Sequence, residues 1–126
     1  MKVVYVAGPY RADTTWQIEC NTRAAEHLAL QVWQAGAAAI CPHSNSRFFQ
    51  GSAPDEAFVD GYLEVLRRCD AMLLVVDDKA SVGTQGEIAE AKKRGIPIFT
   101  SVEQLRGWLA DEPHSGPRAA PRRSGM

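Results

Sequence analysis

The chain has 126 residues, enough for one compact domain with a buried core and no need of disulfides or metals. Apolar residues make up 45% and charged residues 23%, and a formal net charge of -1 provides no global field for nucleic acid or an anionic membrane. Cys20, Cys41 and Cys69 are scattered and odd in number, which argues against a disulfide framework and against a zinc site.

Met1-Lys2 leads straight into Val3-Val4-Tyr5-Val6-Ala7 without a signal-peptide pattern, and no apolar run approaches the ~20 residues of a membrane span. A soluble cytoplasmic protein is therefore expected. Val3 to Ala7, ended by Gly8-Pro9, reads as a strand buried on both faces. Thr14 or Asp13 can cap a helix that runs to about Gln34, with Ile18, Ala25, Leu28, Ala29 and Val32 on one face and Gly36 as its stop. Ala37 to Cys41 is a second strand, closed by Pro42, and a polar loop follows from His43 to Ala53.

Pro54-Asp55-Glu56 opens a second helix with acids at its positive end; Phe58, Tyr62, Leu63 and Leu66 are expected to face the core. Ala71 to Val76 is the most apolar stretch and the expected central strand. Thr84 to Arg94 is a third helix stopped by Gly95. Ile96 to Phe99 is a fourth strand, placed at an edge by Pro97, and Glu103 to Leu109 is a last short helix. From Asp111 to Met126 the composition turns to Pro, Gly, Ser, Ala and Arg, which reads as a solvated tail beyond a domain of residues 1–110. Arg118, Arg122 and Arg123 of that tail offer a second reading, contact with nucleic acid phosphates.

Strand-helix alternation predicts an α/β fold: a flavodoxin- or Rossmann-like three-layer sandwich with a parallel sheet of about four to five strands in the order 2-1-3-4. Ligands of such sheets bind beyond the carboxyl ends of the strands at the switch point. Three loops are thereby selected. The first carries Gly8, Tyr10 and Arg11: a small residue for close backbone approach, a stacking face, and a planar fork for phosphate or carboxylate. The second carries His43 and Asn45. The third, Ser81-Val82-Gly83-Thr84, leads into a helix whose hydroxyls and N–H groups can surround an anion. Glu87 follows in the first turn, and two readings of it compete. Thr84-Gln85-Gly86-Glu87 fits a capping box, in which Glu87 would hold the Thr84 backbone; alternatively Glu87 is a carboxylate nucleophile.

Five segments share one pattern: Tyr5-Val6-Ala7-Gly8-Pro9-Tyr10, Cys41-Pro42-His43-Ser44-Asn45, Arg68-Cys69-Asp70-Ala71-Met72-Leu73-Leu74, Ser81 to Glu87, and Ala91-Lys92-Lys93-Arg94-Gly95-Ile96-Pro97-Ile98. In order and spacing, over residues 3–100, they resemble the nucleoside 2-deoxyribosyltransferase-like superfamily, including its nucleoside 5'-monophosphate N-glycosidases. The chain looks most like short uncharacterised bacterial and phage members. The resemblance implies that Glu87 attacks the anomeric carbon of a nucleoside or nucleotide and that water or a second base resolves the glycosyl-enzyme. Ser81 falls where transferases carry a sugar-binding aspartate and the monophosphate hydrolases a phosphate-contacting serine. Gly8, Tyr10, Arg11, His43, Asn45 and Gly83 fall on the substrate side. The family's second acid corresponds by spacing to Tyr62, so Asp60, half a turn earlier, is the candidate assisting acid. Asp70, at the entry of the third strand, reads as structural. The resemblance further implies a homodimer, no cofactor and no metal. Two alternatives are a non-catalytic nucleotide sensor on the same fold and a phosphoribohydrolase of the cytokinin-activating type. The latter's Gly-Gly-x-Gly-Thr-x-x-Glu signature is incomplete here, because Ser81-Val82 precede Gly83.

Overall fold

The computed structural model describes residues 1–75 and 82–111. In chain order these form β1 (Val3–Ala7), α1 (Thr15–Gln34), β2 (Ala38–Ile40), α2 (Pro42–Asn45), α3 (Asp55–Arg67), β3 (Ala71–Leu74), α4 (Val82–Arg94), β4 (Ile98–Phe99) and α5 (Val102–Asp111). The four strands pair in the order β2-β1-β3-β4, all parallel.

The pleat of β1 sorts the core into two layers. Val4 and Val6 point to the face covered by α1 and α5, against Ala25, Val32 and Leu105. Tyr5 and Ala7 point to the other face, against Leu66 of α3 and Ala91 of α4. Tyr5, fully buried, therefore belongs to the layer that holds α4.

Local chemistry sets the ends of these elements. Thr14 Oγ1 accepts the Gln17 N–H at 3.1 Å, so Thr14 rather than Asp13 caps α1. At the other end Gly36 takes φ +93°, and the Gly36 and Ala37 amides donate to the Trp33 and Val32 carbonyls, a Schellman stop. Below the sheet, Asp70 accepts the Val3 N–H at 2.8 Å and joins the starts of β1 and β3. β4 is shorter than expected because Pro97 lies just before it and supplies only its carbonyl, to the Met72 N–H.

Several sequence expectations are corrected. The segment after β2 opens with a helical turn, α2, started by Pro42, where a loop was expected. Of the four apolar residues assigned to the core side of α3, only Leu66 is fully buried; Tyr62 packs against the core and also lines a cleft, and Phe58 and Leu63 line that cleft. α4 begins at Val82, so Thr84 sits inside the first turn and is not its cap. Asp111 ends α5 and so is not part of the tail, while residues 112–126, with Arg118, Arg122 and Arg123, lie outside the described residues. Among the described residues no helix is long and apolar enough to cross a membrane.

Candidate active site

A cleft of about 770 Å³ opens above the carboxyl ends of the strands, between the loop after β1, α2, α3 and the start of α4. Its walls are largely apolar, with Phe58, Val59, Tyr62 and Leu63 supplied by α3. That composition suits the flat faces of a small organic ligand, with a few polar groups to orient it.

Glu87 reaches this cleft from the second turn of α4. The buried Tyr5 hydroxyl donates a hydrogen bond to its Oε2. A tyrosine in a strand otherwise made of Val and Ala must satisfy its hydroxyl inside the protein, and Glu87 is the acceptor. Burial pushes the Glu87 carboxyl up to about 7, against the lowering effect of the Tyr5 bond. Tyr5 itself is driven far above the ordinary phenol range, first by burial and then by the neighbouring Glu87 charge. Tyr5 is thus a permanent donor, and Glu87 a carboxylate that gains its charge near neutrality. The capping-box geometry does not describe this residue, since the helix starts before Thr84 and the carboxylate meets Tyr5.

Gly8, at the end of β1, lines the cleft, but a Cβ there would come within 2.6 Å of the Val75 side chain. Glycine at this position serves the packing of β1 on the end of β3. Gly86 differs: it lines the cleft, and among the described residues an added Cβ would meet nothing within 4 Å outside its own helix, so it leaves room on the ligand side.

The loops after β1 and β2 are held to one another. His43 is buried, and its Nε2 donates to the Pro9 carbonyl at 2.9 Å, which leaves Nδ1 as an acceptor without a partner among the described residues. Burial holds the His43 ring below its usual range, with the Pro9 bond opposing, so the ring is neutral at pH 7. The Tyr10 ring meets its edge at a centroid distance of 5.7 Å, and Asn21 Nδ2 donates to the Tyr10 carbonyl at 3.1 Å.

The sequence candidates thus divide. Glu87, Gly8, Tyr10, Arg11 and His43 come together around the cleft. Asn45 is exposed and outside its walls, but its amide donates to the Tyr62 hydroxyl at 3.0 Å, and that hydroxyl donates to Ser46 Oγ at 2.8 Å. Asp60 is exposed on α3 and does not line the cleft; Tyr62 occupies the wall. Gly83 lies in the first turn of α4, and Ser81 falls outside the described residues. Tyr5, Ser46, Asp55 and Gly86 were not singled out by sequence reasoning. Of these only Tyr5 had a legible signal, one hydroxyl in a strand buried on both faces. Among the described residues no group of three His, Cys, Asp or Glu side chains could hold a metal ion.

Residues 2–101 match one protein family, described as Domain of unknown function (DUF7768). The chain belongs to that family. No curated protein matches it in sequence. Among solved structures, a 2-deoxyribosyltransferase from Bacillus psychrosaccharolyticus aligns with a TM-score of 0.60 at 15% identity, over 82% of this chain and 90% of that one. A conserved protein from Enterococcus faecalis V583 aligns with a TM-score of 0.64 at 20% identity, over 91% of this chain and 78% of that one. At these identities the likeness is one of fold: this DUF7768 domain has the nucleoside 2-deoxyribosyltransferase-like architecture.

Proposed function

We propose that this protein cleaves the N-glycosidic bond of a (deoxy)nucleoside 5'-monophosphate or nucleoside, with Glu87 as the nucleophile. The observation that carries the reading is the Glu87 carboxylate, part-buried at the wall of an apolar cleft and fixed by the Tyr5 hydroxyl. A part-buried carboxylate held by a fixed neutral donor is costly for folding and suited to attack on an electrophilic carbon. The likeness of fold to a 2-deoxyribosyltransferase supports the same class of chemistry.

In the first step a Glu87 oxygen bonds to the anomeric carbon as the C–N bond breaks. The base leaves with the bonding pair and takes up a proton from solvent water. In the second step water, or the nitrogen of a second base, attacks the same carbon, loses its proton to solvent and frees the carboxylate. Tyr5 acts as a positioning residue that holds the unreacting oxygen of Glu87. Tyr10 and the wall of α3 face the base and sugar, and Arg11 faces the 5'-phosphate. His43 and Asn45 buttress that wall and the first loop. Gly83 and Ser81 are assigned to the phosphate on their sequence positions alone. No residue of the described chain takes the assisting-acid role first assigned to Asp60. A homodimer and a solvated tail beyond residue 111 belong to the same proposal.

The test is incubation with a panel of ribo- and deoxyribonucleoside 5'-monophosphates and the matching nucleosides, with and without an added acceptor base, read by chromatography. Free base, or an exchanged nucleoside, is expected from the native protein and not from Glu87→Gln. A panel that yields no base, or a Glu87→Gln protein as active as the native one, overturns the proposal.

A further inference from the structure

Arg11 does not stand alone in the cleft. Its Nη2 lies 2.8 Å from Oδ2 of Asp55, so the pair links the loop after β1 to the first residue of α3. Both residues line the cavity, and Asp55 and Glu87 are its carboxylates among the described residues. With Glu87 assigned to the sugar, Asp55 is left without a role in the chemistry.

The two side chains are 64% and 62% exposed, and an ion pair that open to water contributes little to folding. It is also easily exchanged. A phosphate monoester offers Arg11 a planar, two-pronged contact with a group of higher charge than a carboxylate. Asp55, once released, remains at the positive end of α3, where a carboxylate is favoured. We infer that Asp55 is a resident counter-ion that an incoming phosphate must displace from Arg11, and that this exchange filters the anions admitted to the cleft. The inference rests on the reading of Arg11 as the phosphate contact.

The filter works by setting the same penalty for every anion. Free inorganic phosphate gains nothing from Phe58, Val59 and Tyr62, so the penalty leaves it only weakly bound. A nucleotide offsets the penalty by burying its base and sugar against that wall. Asp55 is thus a specificity-determining residue that acts through Arg11.

Calorimetric titration with inorganic phosphate tests this without turnover. Asp55→Asn is expected to bind phosphate roughly three- to tenfold more tightly than the native protein, from the loss of one nearby negative charge. Arg11→Met should bind it more weakly than the native protein, and Asp55→Asn combined with Arg11→Met should lose most of the gain. Equal affinity in native and Asp55→Asn proteins, no binding to either, or a gain undiminished in the double variant overturns the inference. Base release by the native protein is scored separately. No release together with a clear Asp55→Asn gain defeats the glycosidase reading alone, and release without that gain defeats the counter-ion alone.

Discussion

Two glutamates on α4, Glu87 and Glu90, share a helix and a residue type and have opposite environments. Glu90 accepts from Arg67 Nε and Arg94 Nε, each at 2.8 Å, and these arginines hold its carboxyl down at about 2. Glu87, one turn earlier, has burial against it and, among the described residues, a neutral donor in Tyr5, and rises to about 7. The difference teaches that the helix is indifferent to its carboxylates; the layer each one enters decides. The Glu90 side clamps α3 to α4 through paired charges, while the Glu87 side keeps a charge waiting in a cleft. A group held ready in this way is stored at the expense of folding.

The comparison breaks most visibly on activity. Glu87→Gln should lower glycosidic cleavage by several orders of magnitude, because an amide cannot replace the attacking carboxylate. Glu90→Gln should stay within a fewfold of native rates in the same chromatographic assay. Comparable losses in both variants would show that α4 is merely disturbed as a whole.

Tyr5→Phe sharpens it. The Tyr5 bond lowers the Glu87 carboxyl, so its removal should move the acid limb of the kcat/KM profile from about 7 to a more alkaline value. The plateau should fall roughly ten- to a hundredfold, the usual worth of a hydrogen bond to a charged group. An unmoved limb would mean that the titrating group is not Glu87.

Gly86→Leu should fill the open space beside Glu87 and abolish nucleotide binding, measured by calorimetry. Gly86→Ala should raise helix stability by up to about 1 kcal/mol in thermal melts. Binding retained by the leucine variant would place the ligand elsewhere.

Stability against pH gives the subtlest contrast. Glu87 has a folded-state value above its unfolded one, so its contribution is full below about 4.5 and is lost as pH rises through about 7. Glu87→Gln should therefore match the native protein near pH 4 and exceed it at pH 8, by on the order of 2 kcal/mol in denaturant titrations. Glu90 has the opposite sign: its contribution is present above about 4.5 and lost as pH falls through about 2. Glu90→Gln should be the less stable protein at neutral pH and converge with the native one in acid.

The parallel sheet was legible because β1 and β3 are apolar runs bounded by Gly, Pro and Asp, and the order followed from crossover rules. The capping of α1 and the Gly36 and Gly95 stops were legible for local reasons. The phase of α3 was not. Phe58, Tyr62 and Leu63 are as apolar as core residues, and a wall built for a ligand has the periodicity of a wall built for a core. Spacing itself points to Tyr62 as the site position, and Asp60, half a turn earlier, follows only from seeking an acid there. Glu87 was legible from its motif, but its partner Tyr5 lies 82 positions away, a distance no local pattern spans.

The position of β1 has a consequence for synthesis on the ribosome. It is made first among the strands and yet stands inside the sheet, flanked by β2 and β3. Its partner across the Val3–Asp70 bond follows 67 residues later. At roughly 5–20 residues per second, that interval lasts several seconds. Throughout it, one long edge of a Val-rich strand is open, and β2 can cover only the other. The nascent chain thus carries this segment with one edge open until β3 is made, and a slowed ribosome between β2 and β3 would prolong the interval in which two nascent chains can join through it.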